Sequence, residues 1–251
     1  MKRIFCILLL AASYFTGSVQ AQPGSLTVGT LIDVPVARCP EKGGIETDLR
    51  LYANGGLLSS VRVGIFNRFS IGTSYGGENI IGSGNVNMNP QPCVQLQYLV
   101  AEEQFLIPAI LIGFNSQGLG GYDKTRKRYR YKSKGLYAVV SKNTSFLAGL
   151  GLHVGLSWSP ENNDGDSDPT LFAGFHKWIN SGIVILGEYD AAINDNSENA
   201  VGAGKGYLNL GIRCTLQEAL RFEFAWKNIL ENMKDFKGSS REVKLIYITH
   251  F

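Results

Sequence analysis

The stretch Leu220-Arg221-Phe222-Glu223-Phe224-Ala225-Trp226 decides the fold class. Apolar side chains fall at 220, 222, 224 and 226, with two full charges between them. A period of two puts Arg221 and Glu223 on one face of a strand and the greasy groups on the other. A helix would set the two charges on nearly opposite sides and bury neither apolar set coherently. Val94-Gln95-Leu96-Gln97-Tyr98 and Leu208-Asn209-Leu210-Gly211-Ile212-Arg213 repeat the alternation.

Working outward, the same period marks twelve segments. They lie near 45–53, 56–66, 68–76, 93–101, 105–114, 131–142, 146–158, 170–178, 182–190, 206–214, 219–227 and 241–251. Their lengths suit the roughly 9–11 residues a tilted strand needs to cross a bilayer better than the roughly 5–6 of soluble strands. The links sort by length. Those after even-numbered segments are short, such as Asn67, whereas those after odd-numbered ones are long, such as 116–130 and 191–205. The tight first hairpin at Asn54-Gly55 is the exception. Short turns at one end and long loops at the other predict an all-β, twelve-stranded antiparallel transmembrane β-barrel over 45–251, with periplasmic termini in the bacterial outer membrane.

Composition agrees. Hydrophobic residues make up 44% and charged residues 18%, too apolar for a disordered chain. The 30 glycines against 8 prolines favour strands and turns. Residues 1–21 read as a secretory signal peptide: Lys2 and Arg3, an apolar run from Ile4 to Ala12, then Val19-Gln20-Ala21 as a cleavage site. Its removal leaves the chain near charge balance, so net charge indicates no nucleic-acid partner. Residues 22–44 are expected to form a periplasmic lead-in to the barrel.

The polar face decides which side points inward. A dry core could not accept so many ionisable groups, so the expected lumen charges are Arg50, Arg62, Arg68, Glu188, Asp190, Arg213, Arg221 and Glu223. They mix signs and are expected to pair across a narrow interior, which is either a selective small-solute channel or a closed barrel whose charges merely satisfy one another. Aromatics near strand ends, Trp158, Trp178 and Trp226 among them, would form interfacial girdles.

The most basic stretch is a candidate anion-binding loop, with Lys124, Arg126, Lys127, Arg128, Arg130 and Lys132 interleaved with Tyr129 and Tyr131. It could meet lipopolysaccharide phosphates or an acidic polysaccharide, or simply be a solvated loop. Asp164-Gly165-Asp166-Ser167-Asp168 spaces oxygens as calcium loops do but lacks the downstream Gly and Glu, so a polar turn is the better reading. Gly202-Ala203-Gly204-Lys205-Gly206 lacks the Ser/Thr of a phosphate loop. His153 and Ser157 share a strand face about 13 Å apart, too far for a nucleophile and its base. No catalytic residue, metal site or cofactor is assigned. If any disulfide forms, Cys39–Cys214 is expected, both lying at the periplasmic end; three unpaired thiols are the alternative.

The terminal stretch from Val243 to Phe251 alternates, with Tyr247 and Phe251 on the apolar face. Its final aromatic resembles the signal that outer-membrane proteins present to the barrel-assembly machinery. The segment Ile32-Asp33-Val34-Pro35-Val36-Ala37-Arg38-Cys39-Pro40-Glu41-Lys42-Gly43 resembles the lead-in of a poorly characterised outer-membrane barrel family. Asn79-Ile80-Ile81-Gly82-Ser83-Gly84, Ile112–Gly118, Lys134–Lys142 and Gly187-Glu188-Tyr189-Asp190 are similar too. Related barrel domains occur in YjbH-like proteins linked to exopolysaccharide production. The resemblance implies a non-enzymatic envelope role, as a narrow channel or accessory factor for small or anionic molecules such as exopolysaccharide. A structural or adhesive surface protein acting through its long loops, or an outer-membrane lipid-modifying enzyme, are the alternatives.

Overall fold

The computed structural model describes residues 28–144, 149–217 and 219–251; the expected signal peptide lies outside them. In chain order the strands are β1 (Gly44–Tyr52), β2 (Gly56–Phe66), β3 (Phe69–Glu78), β4 (Asn87–Met88), β5 (Cys93–Ala101), β6 (Ala109–Asn115), β7 (Leu119–Asp123) and β8 (Arg128–Tyr131). They continue as β9 (Gly135–Thr144), β10 (Leu150–Trp158), β11 (Thr170–Asn180), β12 (Ile183–Asp190), β13 (Tyr207–Gln217), β14 (Leu220–Lys227) and β15 (Ser240–His250). Twelve of them close into one antiparallel barrel, with β4 appended to β3 and β7–β8 forming a separate hairpin. The seam is the pairing of β1 with β15, from Gly44 opposite His250 to Leu51 opposite Val243. Both ends of the barrel wall therefore lie at the mouth that carries the short turns.

Among the expected boundaries that move, two do so for a clear local reason. The strand expected from 105 begins at Ala109, because Pro108 has no N–H to give the ladder. Phe105 and Leu106 instead stand in the turn, 88% and 84% exposed. The strand expected from 131 begins at Gly135, whose φ of 57° breaks the extended chain. Tyr131 ends β8 in a loop hairpin.

Alternation sorts the two faces. Leu152, Val154, Leu156, Ile212, Phe222, Phe224 and Trp226 stand exposed on the outside, an apolar band that only lipid can cover. Arg213, Arg221, Glu223 and Lys244 turn inward and are buried. Trp178, expected in the interfacial girdle, instead packs against the interior apolar cluster.

The lead-in segment departs most from expectation. Instead of lying outside the barrel, Val28–Cys39 runs inside it. Leu31, Ile32, Val34 and Val36 are buried against wall residues including Leu111, Val139, Phe172, Val184 and Leu186. Thr30 bridges Pro35 and the Leu31 N–H bonds to the Val34 carbonyl, so the segment doubles back as a hairpin. Gly29 lies against Glu46 near the start of β1, and Cys39 contacts the Arg68 carbonyl at the β2–β3 turn. The hairpin thus enters and leaves by the short-turn mouth with its tip in mid-lumen.

Candidate functional site

The wall's inward charges form a row across neighbouring strands. Arg213 on β13 stands opposite Glu223 on β14, which stands opposite Lys244 on β15, which stands opposite Arg50 on β1. Glu223 binds Arg213 and, at 3.1 Å, Lys244. The row holds three cations and one carboxylate, and Lys227 adds another cation nearby.

The hairpin supplies what this surplus lacks. Asp33 accepts from Arg50 at 2.6 Å and pairs with Lys227 at 2.7 Å, and Glu242 completes both pairs at 3.0 Å. Arg213 donates to the Thr30 and Leu31 carbonyls, while Arg50 and Lys244 both donate to the Ile32 carbonyl. From β12, next to β13, Glu188 accepts the N–H groups of Ile32, Asp33 and Val34 at 2.9–3.0 Å and a further bond from the Asn209 amide. A chain segment inside a barrel has no sheet partner for its backbone groups, and these side chains stand in for one.

The long-loop mouth has its own cover. The β7–β8 hairpin folds over the opening, and Arg128 is fully buried between Asp164 at 2.6 Å and Asp195 at 2.5 Å. Lys132 joins Asp164 at 2.9 Å, and Tyr207 donates to Asp195. Burial alone would raise the Asp164 carboxyl, but Lys132 and Arg128 outweigh it and hold that group below its usual range. Of the calcium-like spacing, Asp164 is taken by protein cations and the Asp166 carboxylate accepts the Asn196 and Ser197 N–H groups. Glu161 accepts the Tyr129 and Ser133 N–H groups and ties the next loop beneath the cover.

This geometry revises the basic loop. Arg128 and Lys132 are buried in ion pairs, Arg130 reaches Glu78, and Arg126 bridges Asp123 and Asp235. Lys124 and Lys127 are exposed. A continuous anion-binding patch does not form, because the loops beside it carry the matching acids. Among the expected lumen charges, Arg50, Arg62, Glu188, Arg213, Arg221 and Glu223 are buried inside. Asp190 lies near the loop mouth, paired with Lys134. Arg68 is not in the lumen: it sits in the β2–β3 turn, half exposed, and pairs with Glu102. Tyr247 faces outward, and the final residue, Phe251, donates its N–H to Gly43 at the seam. Cys39 and Cys214 are both free. Cys39 lies inside beside Ser70, while Cys214 shares the outward face of β13 with Ile212, so the expected disulfide has no geometry.

Sequence spacing missed one cluster. Ser141 on β9 meets His153 Nδ1 at 2.8 Å, and His153 Nε2 meets His176 Nδ1 on β11 at 2.9 Å. All three are buried, and the Ser141 hydroxyl also accepts the Ala37 N–H. The serine is engaged by the hairpin, so this relay acts as another anchor for it.

Beside the β7–β8 hairpin at the long-loop mouth lies a chamber of about 330 Å³. Its walls include Tyr52, Tyr122, Tyr131 and Phe236, with Arg126, Arg130 and the carboxylates Glu78, Asp123, Asp235 and Glu242. Tyr131 covers Lys227 (4.4 Å from Nζ to the ring centre) and meets Tyr207 edge to face. Glu242 is thus both chamber wall and hairpin anchor.

A closed, outwardly apolar twelve-stranded barrel of this build is a bacterial outer-membrane β-barrel. No protein family and no curated sequence matches the chain. Among solved structures it is similar to the KdgM porin in complex with disordered oligogalacturonate, at TM-score 0.55 and 11% identity, covering 82% of this chain and 99% of that one. The NanC porin aligns at 0.48 and 9% identity, over 82% and 99% of the two chains. The outer-membrane protein Omp33 of Acinetobacter baumannii aligns at 0.45 and 5% identity, over 83% and 97%. At such identity the first likeness establishes the shared barrel fold.

Proposed function

We propose that this protein is a non-enzymatic outer-membrane channel for small envelope molecules, held shut at rest by the hairpin Val28–Cys39. One observation carries the reading: the hairpin's charge and backbone groups are matched by wall side chains, Asp33 by Arg50 and Lys227 and the Ile32, Asp33 and Val34 amides by Glu188. A barrel serving only as a scaffold could fill its core with apolar side chains, which avoids the cost of burying ions. Buried ion pairs are weak evidence for stability but suit an element that must be removable.

The class of solute is a finer matter. An acidic exopolysaccharide draws support from the resemblance to YjbH-like barrels and from the ligand named with the KdgM porin. The internal pairing of the basic loop weighs against it.

Planar-bilayer recording of the purified full chain tests the channel. The wild type is expected to stay mostly closed, with rare discrete openings. Asp33→Asn, which leaves every backbone bond in place, should raise the open fraction by about tenfold or more, the shift of roughly 1.4 kcal/mol expected from weakening a charge-assisted contact. Absence of discrete steps in both proteins, with folding verified by heat-modifiable gel mobility, would overturn the reading.

A further inference from the structure

The chamber at the long-loop mouth joins three features that no role described so far uses together. Its volume of about 330 Å³ is at the lower end of the roughly 300–1,000 Å³ usual for small-ligand pockets. It is walled by five aromatic side chains from four separate segments: Tyr52 at the β1–β2 hairpin, Tyr122 on β7, Tyr129 and Tyr131 on β8 and Phe236 in the β14–β15 loop. Its charges are unequal: apart from Glu242, which Arg50 and Lys227 already neutralise, three carboxylates face two guanidiniums. Arg126 must serve both Asp123, at 3.0 Å, and Asp235, at 3.7 Å, and the Asp235 side chain is 68% exposed.

Aromatic faces offer apolar area for the C–H surface of a sugar ring, while carboxylates and guanidiniums accept from and donate to its hydroxyls. The acidic surplus repels a uronate and attracts an amine. We infer that this chamber is a binding site for a saccharide of one or two rings that carries no acid group, neutral or amine-bearing. This extends the channel reading by naming the solute chemistry at its entrance. Glu242 links the two, since it lines the chamber and shares Arg50 and Lys227 with Asp33, so a ligand engaging its carboxylate changes how those cations are divided between them.

Titration calorimetry of the full chain in detergent, with cellobiose, a glucosamine disaccharide and digalacturonate as probes, tests the site. Cellobiose and the glucosamine disaccharide should bind, with digalacturonate weaker by about tenfold or more, a modest like-charge penalty. Phe236→Ala and Asp235→Asn both alter exposed loop side chains and should spare the fold. Phe236→Ala should weaken every probe that binds, and Asp235→Asn should narrow the gap between the amine-bearing and acidic probes. Equal or tighter binding of digalacturonate, no binding by any probe, or binding indifferent to both substitutions would overturn the inference. Saccharide binding by a barrel that never conducts would sink the channel reading and leave this site standing. Conductance without saccharide binding would do the reverse.

Discussion

The hairpin in the lumen and the cover over the loop mouth solve the same problem in different ways. Each hangs on a buried cation shared by two carboxylates: Lys227 between Asp33 and Glu242, and Arg128 between Asp164 and Asp195. The cover is itself a β-hairpin, with β7 paired to β8, so its backbone satisfies much of its own need. It requires only side-chain ties. The lumen hairpin has one short bridge, from Thr30 to Pro35, and a tight bond from the Arg38 N–H to the Val36 carbonyl, and borrows most other partners for its N–H and C=O groups from wall side chains. Side-chain ties fix a position and can be cut singly, whereas borrowed backbone partners fix a conformation and fail together.

That contrast can be broken by experiment. Glu188→Ala strips the acceptor from three buried N–H groups at once, at roughly 1–3 kcal/mol each. It is expected to lower barrel stability by about 3–9 kcal/mol, read as a fall in the detergent unfolding midpoint; a change below about 1 kcal/mol would mean that the hairpin's backbone does not depend on the wall.

Arg128→Ala leaves Asp164 and Asp195 buried without their shared cation, a loss of about 3–5 kcal/mol in comparable pairs. Here the damage should stay local. Protease cleavage within the β10–β11 loop should accelerate by a hundredfold or more, while the barrel's own unfolding midpoint moves little. Equal loss at both would erase the distinction between a tied cover and a built-in stopper.

Acid gives the smallest effect. Asp164 titrates below its ordinary value when folded, so its contribution is complete above the unfolded carboxylate range near 4 and is lost as pH falls through the lower folded value. Hydrogen exchange in the β7–β8 hairpin should therefore rise below about pH 4. Exchange that is flat with pH down to about 2 would show that Asp164 is not what holds the cover.

The wall was legible in the sequence because one face meets lipid and the other does not, which imprints a period of two on every long strand, as in Leu220–Trp226. Loop lengths gave the two mouths. The lumen hairpin was not legible as such: Leu31, Ile32, Val34 and Val36 are too few for a spanning strand, and no local pattern says which side of a barrel wall a lead-in occupies. Its clue was the cationic excess of Arg50, Arg213, Lys227 and Lys244, visible only once register aligns them. The basic loop misled for the same reason, since Asp164 and Asp195, which neutralise Arg128, lie 36 and 67 residues away from it. Ser141, His153 and His176 meet through the pairing of β9, β10 and β11, which spacing along one strand cannot reveal.

Because the lumen hairpin goes in and comes out through one mouth, it answers differently to force from the two sides. A pull on its upstream arm from the short-turn side would peel contacts in succession, those of Gly29 and Thr30 before those of Asp33, each costing little alone. A push from the opposite side loads the tip and must shear all of them together. The hairpin is mechanically a one-way latch, firm against a push from the long-loop side and yielding to a tug from the short-turn side.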